Sequence, residues 1–477
     1  MAEHAAVDFA QNVAKALNDQ QLRNNLRSAM GSLSLKRKAV FPNQAEFEQL
    51  RTVGQAIRQR SLSKLPELLE KLEQKCTQNG IQVHWAETTA EANQIFLDII
   101  RPHQATRVIK GKSMVSEEMH LNHFLEDNGV EALETDLGEY IIQLDHETPS
   151  HIIVPAIHKN RNQVAQLFHD RIPNAPYTEV VEELNAIARQ TLRQKFFAGE
   201  IGVSGVNFAV AETGTLCLVE NEGNGRMCTT APPVHIAVMG LEKVVENLQD
   251  VPPLLRLLTG SATGQLITTY FNMITSPRKP GEKDGPREVH LVILDNGRSK
   301  ILADPERRQT LQCIRCGTCL NHCPVYTRLG GHAYGYVYPG PIGSILTPQM
   351  EGLDKAGVMA YASSLCGACE EVCPVKIPFT QILRRLRNES YAVQDSPNAV
   401  KGHGYKHNVT EQLVWKGWAL MNITPALNAL GTRMLGMMGS RLPKAGPLKQ
   451  WMSVRTKPRF ARKSLHRLAK ERGLDHE

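Results

Sequence analysis

Apolar residues recur at helical spacing through the first 80 positions, most clearly in AEFEQLRTVGQAIRQRSLSKLPELLEKLEQKC at 45–76. A spacing of three to four residues places these side chains on one face of an α-helix. We therefore predict that the chain begins with helices.

Short apolar runs then alternate with further helical patterns. The runs that we predict as strands are IQVHWA (81–86), RVIKG (107–111), HIIVP (151–155), VNFAVAE (206–212), GTLCLVE (214–220), VHIAVMG (234–240) and VHLVIL (289–294). Helical patterns lie at 90–101, at 115–129, in two stretches that end near Phe197, and at 241–258. Strands that alternate with helices are typical of an α/β fold with a largely parallel sheet.

The pattern changes after the last predicted strand. From Asp304 to Asn388 the β-rich runs disappear and cysteines arrive in two groups, and after 395–397 the chain is helical and basic. We predict three domains: an α/β domain with N-terminal helices at 1–300, a helical cysteine-containing domain at 301–392, and a basic helical C-terminal region at 393–477.

The bulk composition is that of a soluble globular protein, with 42% hydrophobic and 22% charged residues and a mean hydropathy of −0.30. The start of the sequence lacks the basic and apolar segments of a signal peptide, and no run of about 18 uncharged apolar residues occurs. We therefore expect a cytoplasmic protein, with peripheral contact at the inner face of the membrane as the alternative.

Positive charge is concentrated at the C-terminal end. Lys401–Glu477 contains fifteen Lys/Arg and four Asp/Glu, whereas the net charge of the whole chain is +7. The same region contains Trp415, Trp418, Met434, Met437 and Met438. This combination predicts a surface that docks a partner protein, with membrane or quinone contact as the alternative. The sequence has no nucleic-acid-binding motif, so we expect no nucleic acid partner.

The chain contains ten cysteines, and seven of them lie between 313 and 373. Thiols in a protein without a signal peptide argue against a disulfide framework. The remaining three, Cys76, Cys217 and Cys228, stand apart from this group. We predict these three to be small buried apolar residues.

The first cysteine group, CIRCGTCLNHCP, begins at Cys313 and ends at Pro324. It is the C-x2-C-x2-C-x3-C-P run of two-cluster ferredoxins, in which the fourth cysteine ligates the other cluster. The second group, SSLCGACEEVCP, repeats this spacing up to Pro374, but Ser363 stands where its first cysteine is expected.

Crossed ligation divides the seven cysteines between two clusters. The first cluster takes Cys313, Cys316, Cys319 and Cys373, and the second takes Cys323, Cys366 and Cys369. We therefore predict two [4Fe-4S] clusters, the second with three cysteine ligands. Its remaining iron could bind Ser363, another oxygen or solvent, could stay open to a substrate or partner, or could be lost on oxidation to give [3Fe-4S].

Zinc is the alternative metal, because paired C-x2-C groups also form structural zinc sites. Four sulfurs suffice for zinc, however, and seven thiols with two C-x3-C-P endings fit a pair of iron–sulfur clusters better. Cys323 and Cys366 lie 43 residues apart with helical material between them, which favours an α-helical ferredoxin domain. Paired clusters predict an electron relay.

Other candidate residues lie near predicted strand ends. Glu212 could be a nucleophile of the CoA-transferase type, or it could belong to an ordinary turn. Lys110, Lys112 and Ser113 could hold an anion, or they could form a solvated turn with an N-cap. His235 is predicted to be a buried strand residue.

Several segments resemble a known family. Residues 110–144 and 206–240 resemble a lactate-utilisation domain, and CIRCGTCLNHCPVY, YPGPIGSILTP and LCGACEEVCPVKIP resemble the ferredoxin module of the lactate utilisation iron–sulfur protein B family. The likeness covers nearly the whole chain. It implies a NagB/RpiA/CoA-transferase-like fold for the N-terminal α/β domain, and it implies that the seven-cysteine pattern belongs to the family.

The resemblance also implies a function. The chain would be the iron–sulfur electron-transfer subunit of a three-protein cytoplasmic complex that oxidises L-lactate to pyruvate. Its partners would be a second iron–sulfur subunit and a smaller subunit that shares the lactate-utilisation domain. No catalytic residue for lactate oxidation is implied.

Three alternative functions stay open at this point. The chain could be a CoA-transferase-like or small-anion-binding enzyme with regulatory clusters. It could be the electron-transfer subunit of a quinone-linked dehydrogenase for another 2-hydroxy acid. It could also be an assembly scaffold in which the clusters are structural.

Overall fold

The computed structural model describes residues 8–394 and 409–438 and, beyond these, positions 449, 452, 456, 460–461 and 463–474. Residues up to Tyr405 belong to one compact unit, and Lys406–Glu477 belong to a second. The predicted change of pattern at 395–397 lies outside the described residues. The predicted three-domain division stays a prediction.

Helices occupy most of residues 8–80, as the hydrophobic spacing predicts. They are α1 (Phe9–Asn18), α2 (Gln20–Val40), α3 (Gln44–Ser63) and α4 (Leu65–Gln78). Asp19 ends α1 and caps α2, since its side chain accepts a hydrogen bond from the Leu22 amide. Asn43 caps α3 in the same way.

Strands and helices then alternate. The strands are β1 (Gln82–Ala86), β2 (Arg107–Gly111), β3 (Glu131–Glu134), β4 (Ile201–Gly205), β5 (Phe208–Val210), β6 (Thr215–Glu220), β7 (Val234–Gly240), β8 (Val244–Val245), β9 (Tyr270–Ile274) and β10 (Glu288–Leu294). Six of them form one parallel sheet in the order β1–β10–β7–β4–β2–β3. The predicted α/β fold with a largely parallel sheet is therefore confirmed.

Helices cover this sheet. In this part of the chain they are α5 (Thr89–Ile100), α6 (Met114–Glu118), α7 (Leu121–Asp127), α8 (Leu137–Leu144), α9 (Arg161–Arg171), α10 (Val181–Ala198), α11 (Asn224–Thr230), α12 (Val251–Ala262) and α13 (Arg298–Ala303). Met239 of β7 shares a buried cluster with Leu72 of α4, whereas its neighbour Val238 shares another with Phe96 of α5. The sheet is thus buried on both faces, as parallel sheets usually are.

A second, smaller sheet was not predicted. It has the order β8–β5–β6–β9, and β6 pairs antiparallel with both β5 and β9. The predicted strands at 206–212 and 214–220 form its central hairpin, so they lie outside the parallel sheet.

Two sequence predictions in this region are wrong. Residues 151–155 form bends and turns in place of a strand, because the His151 ring accepts hydrogen bonds from the amides of Ile153 and Val154. The predicted helix at 241–258 begins only at Val251, and the two prolines that follow suit its first turn. Strands β3, β4, β8 and β9 were missed.

From 304 to 394 the described chain is helical or irregular, as predicted. Its helices are α14 (Thr318–Asn321), α15 (Tyr326–Leu329), α16 (Gly340–Glu351), α17 (Leu353–Ala356), α18 (Ala368–Val372) and α19 (Phe379–Gln394). Leu26 of α2, Ile57 of α3 and Leu383 of α19 share one buried cluster with Cys316. The N-terminal helices therefore build a common core with the cysteine region.

The second unit contains α20 (Val409–Ile423), α21 (Pro425–Met438) and α22 (Leu465–Glu471). Helices predicted for this region are therefore present where the structure describes it. Over all described residues, no helix has both the length and the hydropathy of a membrane-spanning segment.

Candidate iron–sulfur site

The two cysteine loops share one backbone conformation. Arg315 and Leu365 precede Cys316 and Cys366, and they have left-handed φ angles of 61° and 55°. Gly317 and Gly367 follow these two cysteines, with φ angles of 71° and 79°. Each glycine then starts a short helix, α14 or α18. A side chain in left-handed backbone costs about 1–2 kcal/mol, so the surrounding structure must hold both loops in this shape.

Four of the predicted ligands line one cavity. They are Cys313, Cys316, Cys319 and Cys373, so both loops contribute to its wall. Apolar side chains complete it, namely Ile152, Ile314, Ile342, Val375, Ile377 and Phe379. The structure therefore brings together the cysteines that crossed ligation assigns to the first cluster, in a largely water-excluding space.

The other three cysteines form a second group. Burial, with a smaller contribution from the nearby thiols of Cys323 and Cys366, raises the pKa of Cys369 to about 12. Burial also raises the pKa of Cys323, and Cys366 adds to this effect. Cys366 is exposed whereas the other two are buried. The second group thus reaches the protein surface.

The two groups are neighbours. The pKa of Cys319 lies well above its ordinary value, chiefly because of burial and then because of Cys313 and Cys316. Cys369, from the second group, contributes as well. Cys319 and Cys369 also belong to one buried cluster of packed side chains, so the two groups lie close to each other.

The donor set fits an iron–sulfur cofactor. Buried thiols with raised pKa values become thiolates when a metal supplies the compensating positive charge. In the described part of the chain, no three His, Cys, Asp or Glu side chains converge on the position of a single metal ion. The first four cysteines surround a cavity instead. Which thiols bind which iron stays a prediction.

Backbone amides point at three of the sulfurs. The amides of Arg315, Tyr326 and Ile377 donate to the Sγ atoms of Cys313, Cys323 and Cys373, each over 3.4 Å. Hydrogen bonds to ligand sulfurs stabilise negative charge and help to set the reduction potential of a cluster.

Cations surround the first group, and sequence reasoning missed most of them. Arg58 is 1% exposed and donates to the carbonyls of Glu242, Val244, Leu311 and Gln312. Arg315 contacts the Glu242 carboxylate and stacks 4.8 Å above the Tyr338 ring. Arg37 and Arg51 donate to carbonyls of the second loop. Arg315 is visible inside CIRCGTC, but the others come from distant parts of the chain.

Lys243 belongs to the same environment. Burial lowers its pKa to about 8, and the neighbouring guanidinium of Arg315 contributes in the same direction. The Glu242 carboxylate opposes this effect, and Glu242 itself pairs with Arg298 over 2.7 Å. A chain of buried charges therefore runs from the first cysteine loop to the carboxyl ends of β7 and β10.

Ser363 lies at the start of the second loop. It is half-buried, its hydroxyl accepts a hydrogen bond from the Leu365 amide over 3.1 Å, and its carbonyl accepts one from Arg387. The fourth ligand of the second predicted cluster stays unassigned.

The other candidates have structural partners. Lys110 is buried between Glu117 and Glu134, each 2.6 Å away, and Lys112 pairs with Asp136. Both lysines are thus neutralised within the protein, which does not favour an anion site. Ser113 caps α6, as the alternative interpretation predicts.

Glu212 lies in the turn between β5 and β6. Its side chain is exposed, and its carboxylate accepts a hydrogen bond from the Leu248 amide over 2.9 Å. This geometry is that of a turn residue, and it does not favour a nucleophile.

His235 is buried in β7 and hydrogen-bonded to Ser204 over 2.8 Å, as predicted for a strand histidine. The isolated cysteines Cys76, Cys217 and Cys228 are buried, which confirms that prediction too. Burial raises the pKa of each of these three thiols to about 12.

Comparisons with known proteins agree with this site. A LUD domain model matches residues 69–294, a 4Fe-4S dicluster domain model matches 309–377, and the model of the C-terminal region of lactate utilisation protein B matches 385–474. The loops and the dicluster match define the chain as an iron–sulfur protein.

Two relatives are similar over 94% of this chain and 94% of their own length. The uncharacterized electron transport protein YkgF of Escherichia coli (strain K12) is 42% identical over 459 residues. Lactate utilization protein B of Bacillus licheniformis is 42% identical over 458 residues. The chain therefore belongs to the lactate utilization protein B family, and it is an iron–sulfur component of lactate utilisation.

A solved structure also matches. The crystal structure of a DUF162 family protein from Deinococcus radiodurans covers 48% of this chain and 98% of its own, at 13% identity and a TM-score of 0.28. At that score the match carries no argument.

Proposed function

We propose that this protein is the iron–sulfur electron-transfer subunit of a cytoplasmic multi-protein complex that oxidises L-lactate to pyruvate. The observation that carries the proposal is the pair of adjacent thiol groups, one around a buried cavity and one at the surface. Cys313, Cys316, Cys319 and Cys373 would hold the first [4Fe-4S] cluster. Cys323, Cys366 and Cys369 would hold the second, with its fourth ligand unassigned.

Two clusters suit the stoichiometry of the reaction. Conversion of lactate to pyruvate releases two electrons and two protons, and a bound pair of clusters supplies two one-electron carriers. Exposure of Cys366 supports exchange with a partner at the second group, and burial of the first group supports protection from solvent.

The protein's own residues would stabilise charge on the sulfurs. Amides of Arg315, Tyr326 and Ile377 donate to ligand sulfurs, and the buried guanidinium of Arg58 lies in the same environment. Positive charge favours the more negative, reduced form of a nearby centre. This arrangement supports electron acceptance by the buried group.

The partners would be a second iron–sulfur subunit and a smaller subunit that shares the lactate-utilisation domain. Family membership supports a role in lactate utilisation, and ten free cysteines support a reducing compartment.

The proposal is tested by anaerobic purification of this protein with its partners from lactate-grown cells. We expect co-purification of both other subunits and about eight irons per copy of this chain, as two cubanes require. Low-temperature EPR should show cluster reduction after lactate is added. Robust lactate oxidation by this chain alone would contradict its role as a subunit. Clusters that are neither reduced nor reoxidised during turnover would favour the alternative function, an assembly scaffold in which the clusters are structural.

A further inference from the structure

The α20–α21 hairpin of the second unit has apolar residues on its outside. On α21, Leu427, Leu430, Met434 and Met437 follow one another at spacings of three and four residues, and all four are exposed. This spacing forms a single stripe along one helix face. In a water-soluble helical hairpin such a stripe normally faces the partner helix.

Apart from the half-buried Leu435, the side of α21 that is less exposed carries small and polar residues. Gly436 is buried, and Asn428, Gly431 and Thr432 are half-buried. A Cβ atom on Gly431 would lie 2.8 Å from Met421 Sδ of α20, so the glycine permits close approach of the two helices. Asn428 also donates to Asn422 of α20 over 3.1 Å. Small and hydrogen-bonding residues between helices are typical of helix pairs in lipid.

The outside of α20 is also apolar. Its exposed large side chains are Leu413, Val414, Trp415, Trp418, Leu420 and Ile423. The two tryptophan rings contact each other edge to face, with centroids 5.7 Å apart. Tryptophan prefers the boundary between the headgroups and the hydrocarbon of a bilayer. Both helices of the hairpin thus expose apolar surface.

Charge indicates which apolar environment covers this surface. Residues 409–438 contain Lys416 and Arg433 but a single acidic residue, and 439–477 contain eleven Lys/Arg against three Asp/Glu. Anionic lipid attracts basic segments that lie near the membrane surface. Both the apolar exterior and the charge are complementary to an anionic bilayer.

The hairpin is too short to cross the membrane. Its helices have 15 and 14 residues, so each is about 21–23 Å long, whereas the hydrocarbon core is about 30 Å thick. We propose that α20 and α21 dock this protein on the surface of an anionic lipid bilayer, with the hairpin embedded in one leaflet. This inference does not rest on the lactate reaction.

Vesicle flotation of the anaerobically purified full-length holoprotein tests the proposal. We expect binding to vesicles of phosphatidylcholine with phosphatidylglycerol, and about tenfold weaker binding to phosphatidylcholine alone or at high salt. Leu430→Asp and Met434→Asp should each weaken binding to the anionic vesicles about tenfold or more, since burial of such a side chain contributes about 1.5–3 kcal/mol.

Ile267→Asp is the matched control. Ile267 is 79% exposed but lies in the first unit, so this variant should bind vesicles like the wild type. Leu430 and Met434 are themselves more than half exposed, so their variants should keep the helical circular dichroism and the cluster absorbance.

Three outcomes would overturn the proposal. They are no vesicle binding by the wild type, equal binding to both vesicle types, or unchanged binding by both hairpin variants. Loss of a co-purifying soluble subunit in those variants, with no vesicle binding by the wild type, would assign the hairpin to a protein partner instead.

Discussion

Ser363 occupies in the second cysteine loop the position that Cys313 occupies in the first. Each side chain accepts a hydrogen bond from the amide two residues on, over 3.1 Å for Ser363 Oγ and 3.4 Å for Cys313 Sγ. In both loops the amide belongs to a residue with left-handed backbone, Leu365 or Arg315. The loops are therefore a structural repeat in which one sulfur is replaced by oxygen.

This relationship predicts where the second cluster is labile. A hydroxyl is a weaker ligand for iron than a thiolate, so air exposure should release one iron and yield a [3Fe-4S] EPR signal. Ser363→Cys should suppress that signal, because the new thiol would lie where Cys313 lies in the first loop. The neighbouring Ser364→Cys is the control and should leave the signal unchanged. A 3Fe signal that persists in Ser363→Cys would refute the assignment.

Substitution of the loop glycines should affect iron binding by the two cysteine groups to different extents. Both Gly317 and Gly367 have left-handed backbone, so alanine costs about 1 kcal/mol at either position. At Gly317 a Cβ atom would also lie 3.0 Å from Ile153 Cγ1, whereas at Gly367 it meets no atom within 4 Å. Gly317→Ala should therefore lose iron more readily than Gly367→Ala. Iron analysis after anaerobic purification shows which variant loses more iron. Equal losses of iron in the two variants would contradict this prediction.

A buried ion pair should make Glu118 important for stability. Arg298 is fully buried, and its guanidinium lies 2.7 Å from both the Glu118 and the Glu242 carboxylates. Glu118→Gln leaves Arg298 with one counter-charge, so we expect the free energy of unfolding to fall by about 3 kcal/mol.

Urea denaturation of the holoprotein measures this effect. The control is Glu131→Gln, which removes an exposed carboxylate paired with Lys195, and it should change the free energy by less than about 1 kcal/mol. Similar losses in the two variants would show that the buried charge network contributes little.

Glu139 should make stability depend on pH. Burial raises the pKa of its carboxyl to about 8, and the nearby Glu134 carboxylate adds to this effect. The folded state therefore keeps a proton that the unfolded state releases near pH 4.5, so stability falls as the pH rises from about 4.5 to about 8. Glu139→Gln should reduce this decline and raise the melting temperature at pH 8 more than at pH 5.5.

The exposed Glu126 provides the control for this experiment. Glu126→Gln should leave the pH dependence of the melting temperature unchanged. A Glu139→Gln variant with the pH profile of the wild type would show that Glu139 does not hold the proton.

Much of the parallel sheet could be predicted because its central strands are unbroken apolar runs. VHIAVMG and VHLVIL became β7 and β10, where every residue except Glu288 is buried. In contrast, β3 lies at the sheet edge and has the sequence EALE. Its two glutamates leave no apolar run from which a strand could be predicted. HIIVP has the apolar pattern of a strand but does not form one. The His151 ring accepts backbone hydrogen bonds that a strand would have made with a neighbouring strand.

The cysteine groups could be anticipated because their spacing lies in contiguous sequence. Their surroundings could not, since Arg58 and Lys243 reach the first loop from positions far away in the chain. The outward-facing stripe of α21 was equally hidden, because hydrophobic periodicity gives the face of a helix but not the direction in which that face points.

EPR of single Cys→Ser variants tests crossed ligation most directly. In the dithionite-reduced holoprotein, Cys373→Ser should alter the same cluster signal as Cys316→Ser, and Cys323→Ser should alter the other signal together with Cys369→Ser. If Cys373→Ser instead altered the signal that responds to Cys369→Ser, each loop would ligate its own cluster, and the crossed assignment would be wrong.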